Sequence, residues 1–346
     1  MEAADMNVRL WINGLRPKTL PASVAPVLIG GAAALLPIGQ ALQDHGRAGG
    51  SVGDAEGSRM LLQRAVGPRM WIILACCILL ALCIQIAANF ANDYSDGIRG
   101  TDDQRGDQEL VSGKPQRLVA SGVAPRKVLM AAAVSAVAAC VFGLLALALS
   151  GAWWMVLVGL ACLLAGWFYT GGKHPYGYMG LGEVSVFIFF GLVATLGTEY
   201  LMIGSVTMAG VLGAVSAGLN AVGLLMLNNY RDIDADRRSG KRTYATMVGQ
   251  QGARISVYMV YLAAFAVAVV QFLEAGWGPG AYRYMAVAGI ALLAFLAVLY
   301  WLICRRLAHG DQRGAFVLSG KGNLLSAVCW VLGFLIELFL MAAGTR

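Results

Sequence analysis

The sequence predicts an all-α polytopic membrane protein, a bundle of nine transmembrane helices with an active site at the cytoplasmic side. Three observations predict it. The chain is 58% hydrophobic and only 13% charged, against about 45–50% apolar and about 25% charged for a soluble domain. Its apolar residues fall into nine uninterrupted segments, each of about the 20 residues a helix needs to cross a bilayer. Glycine and alanine recur within those segments, as at Gly210, Gly213 and Gly218. Small residues let helices approach closely, whereas a β-barrel would alternate polar and apolar at every second position.

In chain order the segments run over residues 18–37, 70–91, 126–149, 152–170, 181–203, 206–229, 253–273, 281–303 and 323–342. The whole chain, 1–346, reads as a single domain. The connection 38–69, with Gly46, Gly49, Gly50, Gly53 and Gly57, reads as a flexible outside loop. Residues 1–17 are polar, and no small-residue cleavage site follows the first apolar stretch, so no cleavable signal is expected. The two long charged connections, 92–125 and 230–252, each follow a helix ending in Asn and Asp and then supply Lys and Arg. Segments 2–3 and 6–7 therefore resemble the halves of an internal duplication.

Orientation follows from lysine and arginine. With the N-terminus inside, the cytoplasmic connections hold 20 of the 26 basic residues. The net charge of +7 is then mostly this bias, and no nucleic acid is expected as a partner. The location expected is the plasma membrane. The seven cysteines lie in or at the ends of apolar segments with no C-x-x-C pair, which argues against zinc or a disulfide framework.

Two acidic runs stand out, because carboxylates beside a bilayer are costly and mark function by default. The first is Asn89-Phe90-Ala91-Asn92-Asp93-Tyr94-Ser95-Asp96. Gln85, Asn89, Asn92, Asp93 and Asp96 share one helical face, a polar stripe on an otherwise apolar helix. A solvated helix end would account for Asp96 but not for the deeper Gln85 and Asn89. In the second run Asn228, Asp232 and Asp236 are four apart, with Asn229 adjoining and Asp234 facing solvent. Two such stripes facing each other would repel unless a cation lay between them. Carboxylate and amide oxygens suit Mg²⁺, which takes one or two protein carboxylates and completes its shell with phosphate and water.

Basic residues follow both runs: Lys114 and Arg117 after the first, Lys241 and Arg242 after the second. Tyr169 and Lys173 flank a Gly-Gly pair at the end of the fourth segment, where glycine backbone can approach a phosphate. Singly each reads as positive-inside bias; grouped around the acidic runs they read as an anion site.

The patterns N-D-x-x-D over 92–96, Y-x-x-x-K over 169–173 and D-x-x-x-D over 232–236 resemble the UbiA superfamily of membrane prenyltransferases. The stretches 16–22, 91–102, 180–183 and 190–198 resemble its 1,4-dihydroxy-2-naphthoate branch. The resemblance implies a Mg²⁺-dependent transfer of a polyprenyl group from polyprenyl diphosphate to 1,4-dihydroxy-2-naphthoate in a lipid membrane, with loss of diphosphate and CO₂. It implies that Asn92, Asp96, Asp232 and Asp236 hold the metals, with Asp93 and Asp102 as helpers. Asp96, Asp232, Asp236, Lys173 and Tyr169 would carry the chemistry. Tyr169, Lys173, Lys241, Arg242 and Arg117 would grip the diphosphate, while Asn89 and Asn228 would line the substrate site. Arg16 and Lys18 would take the aromatic carboxylate, or anchor the interface. The chain departs from the superfamily at Gly100, where a third Asp is usual and Asp102 stands nearby, and in the longer stretch 107–116 before Arg117. Rival readings are a sister enzyme with 4-hydroxybenzoate, haem or chlorophyllide as acceptor, and a cation transporter. A transporter would place its polar groups at the bilayer midplane, whereas these carboxylates gather at one end.

Overall fold

The computed structural model describes residues 2–47, 67–99, 117–171, 175–238, 240–274 and 282–342. Among them there is no strand, and the chain is a succession of helices. Helix α1 (Glu2–Gly14) turns at residues 15–19 into α2 (Leu20–Ala33), which opens on Pro21, a residue suited to a helix's first turn. Next come α3 (Leu36–Arg47), α4 (Pro68–Ile98) and α5 (Pro125–Ser150), the last closed by Gly151 in the left-handed conformation. Helix α6 (Val156–Thr170) is entered through a 3₁₀ turn at Trp153–Met155. Helix α7 (Gly182–Ile203) winds as a π-helix over Phe187–Val193. It is followed by α8 (Met208–Arg231), α9 (Ile233–Arg238), α10 (Tyr244–Glu274, broken at Gly249), α11 (Tyr282–Ala308) and α12 (Gln312–Ala342).

Among the described residues eight helical spans are long and apolar enough to cross a bilayer; α2 and α3 supply one together, over Leu20–Ala41. The fourth of the nine expected segments is the shorter apolar helix Trp153–Tyr169. The segment expected to be a loop from residue 38 begins as helix, since α3 runs to Arg47. Residues 48–66 lie outside the described residues. Helix α12 starts eleven residues before its apolar segment. Two polar side chains of its early turns are buried in protein: Ser319 meets the Tyr261 hydroxyl at 2.6 Å, and Asn323 donates to the Ser319 carbonyl at 3.0 Å. Hydrogen-bonded polar side chains serve as interhelical contacts where water is absent.

The first membrane span and α8 form the centre, with 72% of an 18-residue apolar stretch buried in each, against 17–22% of the corresponding stretch in α4, α5, α7 and α10. Their outward faces carry Val134, Leu262 and similar side chains, as a lipid-facing surface requires. α7 crosses α8 at Gly191, where a Cβ would fall 2.4 Å from the Gly218 Cα, so only glycine permits that approach. α4 packs along α5 and α8 along α10 as the two most extensive pairs, in keeping with the duplication read from the sequence.

Candidate active site

At about 1.5 Å per residue the 31-residue α4 is about 46 Å long, more than the ~30 Å hydrocarbon core. The first acidic run is therefore the helix's own extension. α8 ends at Arg231, and α9 restarts one residue later. The Asp236 N–H still reaches the Asp232 carbonyl at 2.8 Å, so the spacing of four survives the break. Both runs open onto one cavity of about 90 Å³, room for several water-sized groups. Asn92 and Asp96 line it from α4, and Asn228, Asn229, Asp232 and Asp236 from α8 and α9. Three cations, Arg16, Arg117 and Lys241, share its wall with Tyr169, Tyr178 and Thr243.

Each cavity cation is placed by a different device. Arg16 has φ +51°, a left-handed backbone rare outside glycine, at a cost of about 1–3 kcal/mol. Its turn is overdetermined: the Thr19 N–H and hydroxyl both donate to the Arg16 carbonyl at 2.9 Å. From α4, Asn89 donates to the Leu15 carbonyl at 2.8 Å and to Thr19 Oγ1 at 3.2 Å, and is itself held by Gln85 at 3.1 Å. Arg117 opens a turn tied to α4 by Asp93, whose Oδ2 accepts from the Leu118 N–H at 2.9 Å and Oδ1 from the Val119 N–H at 3.4 Å. Lys241 rests over the Tyr178 ring, 4.7 Å from its centroid.

The acids are bonded as well. The Tyr178 hydroxyl donates to Asp96 Oδ1 at 2.5 Å. Burial and the adjacent Asp96 carboxylate push this phenol well above the usual tyrosine range, so it stays a donor. Arg231 forks onto Asp232, Nε to Oδ1 at 3.1 Å and Nη2 to Oδ2 at 2.9 Å, and also reaches Asn228 Oδ1 at 2.9 Å. Asn229 donates to the buried Glu183 of α7 at 3.0 Å. Gly177 lies so close to Tyr169 that a Cβ would meet its carbonyl at 2.6 Å, which seats the Tyr176–Tyr178 turn against the cavity.

Among the described residues no three carboxylate, imidazole or thiolate groups converge as an all-protein metal cage. The donor set is nonetheless hard oxygen throughout, in carboxylates and amides from two facing helices. That set fits Mg²⁺, which asks for one or two carboxylates and takes its other ligands from phosphate and water.

Of the residues expected at the site, Arg16, Asn92, Asp96, Arg117, Tyr169, Asn228, Asp232, Asp236 and Lys241 meet in the cavity. Asp234 is exposed, as its spacing implied. Four others do not line it. Asp93, expected as a metal helper, accepts backbone N–H groups of the Arg117 turn at both its oxygens. Asn89, expected to line the substrate site, donates to the Leu15 carbonyl and to Thr19 Oγ1 beside Arg16. Lys18 and Arg242 are exposed, and the latter's backbone forms a parallel bridge with Met179. Asp102, Lys114 and Lys173 lie outside the described residues. Tyr178, Arg231 and Glu183 were not expected. An interfacial tyrosine reads as part of an aromatic belt and Arg231 as positive-inside bias, so the sequence carries no separate signal for either.

Fold and cavity together define a multi-pass membrane protein whose bundle apposes acids, amides and cations at one end, the chemistry of a site for an anion accompanied by a divalent cation. The chain belongs to the UbiA prenyltransferase family, which residues 57–320 match. It is 40% identical over 268 residues to the 1,4-dihydroxy-2-naphthoate octaprenyltransferase of Mycobacterium leprae (strain TN), covering 77% of this chain and 79% of that protein. It is also 40% identical over 261 residues to the protein of the same name from Mycobacterium tuberculosis (strain ATCC 25618 / H37Rv), covering 75% of each. Its fold is similar to that of a UbiA homolog from Archaeoglobus fulgidus bound to GPP and Mg²⁺, at a TM-score of 0.53 and 14% identity over 91% of this chain and 99% of that one.

Proposed function

We propose that this chain transfers a polyprenyl group from polyprenyl diphosphate to 1,4-dihydroxy-2-naphthoate, releasing diphosphate and CO₂ and giving demethylmenaquinol, the reduced form of demethylmenaquinone. The observation that carries the reading is the meeting of both acidic runs with Arg16, Arg117 and Lys241 in one cavity. The naphthoate acceptor rests on the names of the relatives at 40% identity.

The prenyl C–O bond breaks with its electron pair passing to the diphosphate. The ring carbon bearing the carboxylate forms the new C–C bond, and loss of CO₂ returns the ring to aromaticity. Mg²⁺, when bound, neutralises the charge that develops on the diphosphate. Asn92, Asp96, Asp232 and Asp236 would hold it. Arg117 and Lys241 add fixed positive charge where the leaving group sits, stabilisation that matters most in a site closed to water. Arg16, on the same cavity wall, would take the acceptor's carboxylate. The apolar bundle keeps water from the allylic cation and leaves the isoprenoid tail in contact with lipid. Positive-inside bias supports a cytoplasmic N-terminus and a cavity at the cytoplasmic face; nine crossings, in the plasma membrane, would include the shorter apolar helix Trp153–Tyr169.

The test uses the full chain purified in detergent with Mg²⁺, labelled polyprenyl diphosphate, and either 1,4-dihydroxy-2-naphthoate or 4-hydroxybenzoate. Label is expected in the naphthoate product. Label only with 4-hydroxybenzoate would overturn the acceptor, and no turnover with any aromatic acceptor would overturn the reading as a whole.

A further inference from the structure

Tyr178 touches two of the cavity's charged groups, Asp96 and Lys241, although no sequence motif pointed to it. It belongs to neither acidic run and lies in the 3₁₀ turn Tyr176–Tyr178 between α6 and α7. Its hydroxyl donates to Asp96 Oδ1 at 2.5 Å. Its ring carries Lys241 at 4.7 Å and Arg99 at 5.2 Å from the centroid. The next residue, Met179, forms a parallel bridge with Arg242, so this turn and the loop after the second run are joined at the backbone as well.

We propose that Tyr178 is a positioning residue that aligns the first run's carboxylate and the second run's lysine around a common diphosphate; this rests on the reading of the cavity as a Mg²⁺–diphosphate site. Two cations over one ring repel each other, and an anion beside them relieves that repulsion. Asp96 provides one such anion on the protein, and a diphosphate entering the cavity adds another. With Asp96 Oδ1 taken by the hydroxyl, Oδ2 is the oxygen left for a cation. The hydroxyl therefore sets which way the carboxylate presents itself, and the ring face sets where the ammonium sits. The two halves of the side chain do separate jobs, and they are separable by substitution. Tyr178→Phe keeps the ring and removes the hydroxyl. Tyr178→Leu removes both while leaving an apolar side chain.

The full chain in detergent is tested with Mg²⁺ and inorganic pyrophosphate, reading the rise in unfolding temperature that binding produces, and in parallel with Mg²⁺ and polyprenyl diphosphate, reading turnover. In both, Tyr178→Phe is expected to raise the half-saturating Mg²⁺ about tenfold, the order of effect of one hydrogen bond to a charged group. Its half-saturating pyrophosphate at saturating Mg²⁺ should stay within about twofold of the parent, because the cation–π contact survives. Tyr178→Leu should raise both, the pyrophosphate value by about fivefold. An unchanged Mg²⁺ midpoint in Tyr178→Phe overturns the proposal, as does an equal shift of every parameter in the two variants, which would mark Tyr178 as packing alone. If the parent protein itself gains no thermal protection from Mg²⁺ and pyrophosphate, the Mg²⁺–diphosphate reading falls, and the proposal with it.

Discussion

Asp93→Asn separates two roles that one acidic run can play. Asp93 is 1% exposed, and Leu118, which it holds, is 0% exposed. Its stronger bond is the 2.9 Å one to the Leu118 N–H; that to Val119, at 3.4 Å, is weak. An asparagine keeps one acceptor oxygen and turns an N–H₂ toward the other backbone donor. A hydrogen bond to a charged group contributes about 1.5–3 kcal/mol, and a buried donor left unmatched costs about 1–3 kcal/mol. The turn retains its own bonds, Ser121 N–H to the Arg117 carbonyl at 2.9 Å and Val123 N–H to the Leu118 carbonyl at 2.9 Å. It should therefore stay formed but lose its anchorage on α4. A net loss of about 2 kcal/mol corresponds to about a 30-fold fall in the population that presents Arg117 to the cavity. In the prenyl-transfer assay the KM for polyprenyl diphosphate should rise at least tenfold, while the half-saturating Mg²⁺ stays within about twofold. Asp96→Asn, by contrast, should act on the Mg²⁺ dependence. A raised Mg²⁺ requirement with unchanged KM in Asp93→Asn would refute the reasoning and return Asp93 to the ligand set.

Asn89→Ala removes the ties from α4 to Leu15 and Thr19 and releases the strained Arg16 backbone. The KM for the naphthoate should rise by about tenfold, with the KM for polyprenyl diphosphate little changed, as steady-state kinetics with each substrate varied in turn would read. Gly191→Ala forces a Cβ to within 2.4 Å of the Gly218 Cα. Overpacking of about 1–3 kcal/mol should lower the unfolding temperature in detergent by several degrees; an unchanged transition would mean that α7 and α8 are not in close contact there.

The fold was legible because lipid imposes length and apolarity on every helix, and the expected segments at 126–149, 181–203 and 206–229 fall within two residues of α5, α7 and α8. It was not legible at α12, where polar residues from Gln312 to Gly322 stay helical. Hydropathy measures transfer to lipid, whereas Ser319 and Asn323 are buried against other helices of the protein. At the site, Asn92 with Asp96 and Asn228 with Asp232 and Asp236 were legible because a spacing of four defines one helical face, and that face lines the cavity. Gln85, Asn89 and Asp93 lie on the same stripe, yet they bond one another and the 15–19 and 117–119 backbones. A helix periodicity cannot tell a ligand from an anchor, because both must point inward and the difference lies in a partner 25 to 74 residues away.

That division of labour bears on how the two acidic runs coexist. Like carboxylates brought together in a low dielectric repel and tend to protonate. Here the carboxylates find partners within the protein: Asp96 in the Tyr178 hydroxyl, Asp232 in the Arg231 fork, Asp236 in the Thr243 hydroxyl, Asp93 in two backbone amides. Arg231 brings a guanidinium to Asp232, and Tyr178 brings a dipole and, over its ring, two more cations. The cavity therefore does not depend on a metal to hold its acids in place, which accords with the absence, among the described residues, of a three-ligand cage. Under the proposed function a diphosphate would supply oxygens that the protein does not and would engage Arg117 and Lys241 as well, so it would tighten the hold on a divalent cation. Cation and anion would then enter as a pair, and the stripes on α4 and α8 are spaced for the complex rather than for the metal.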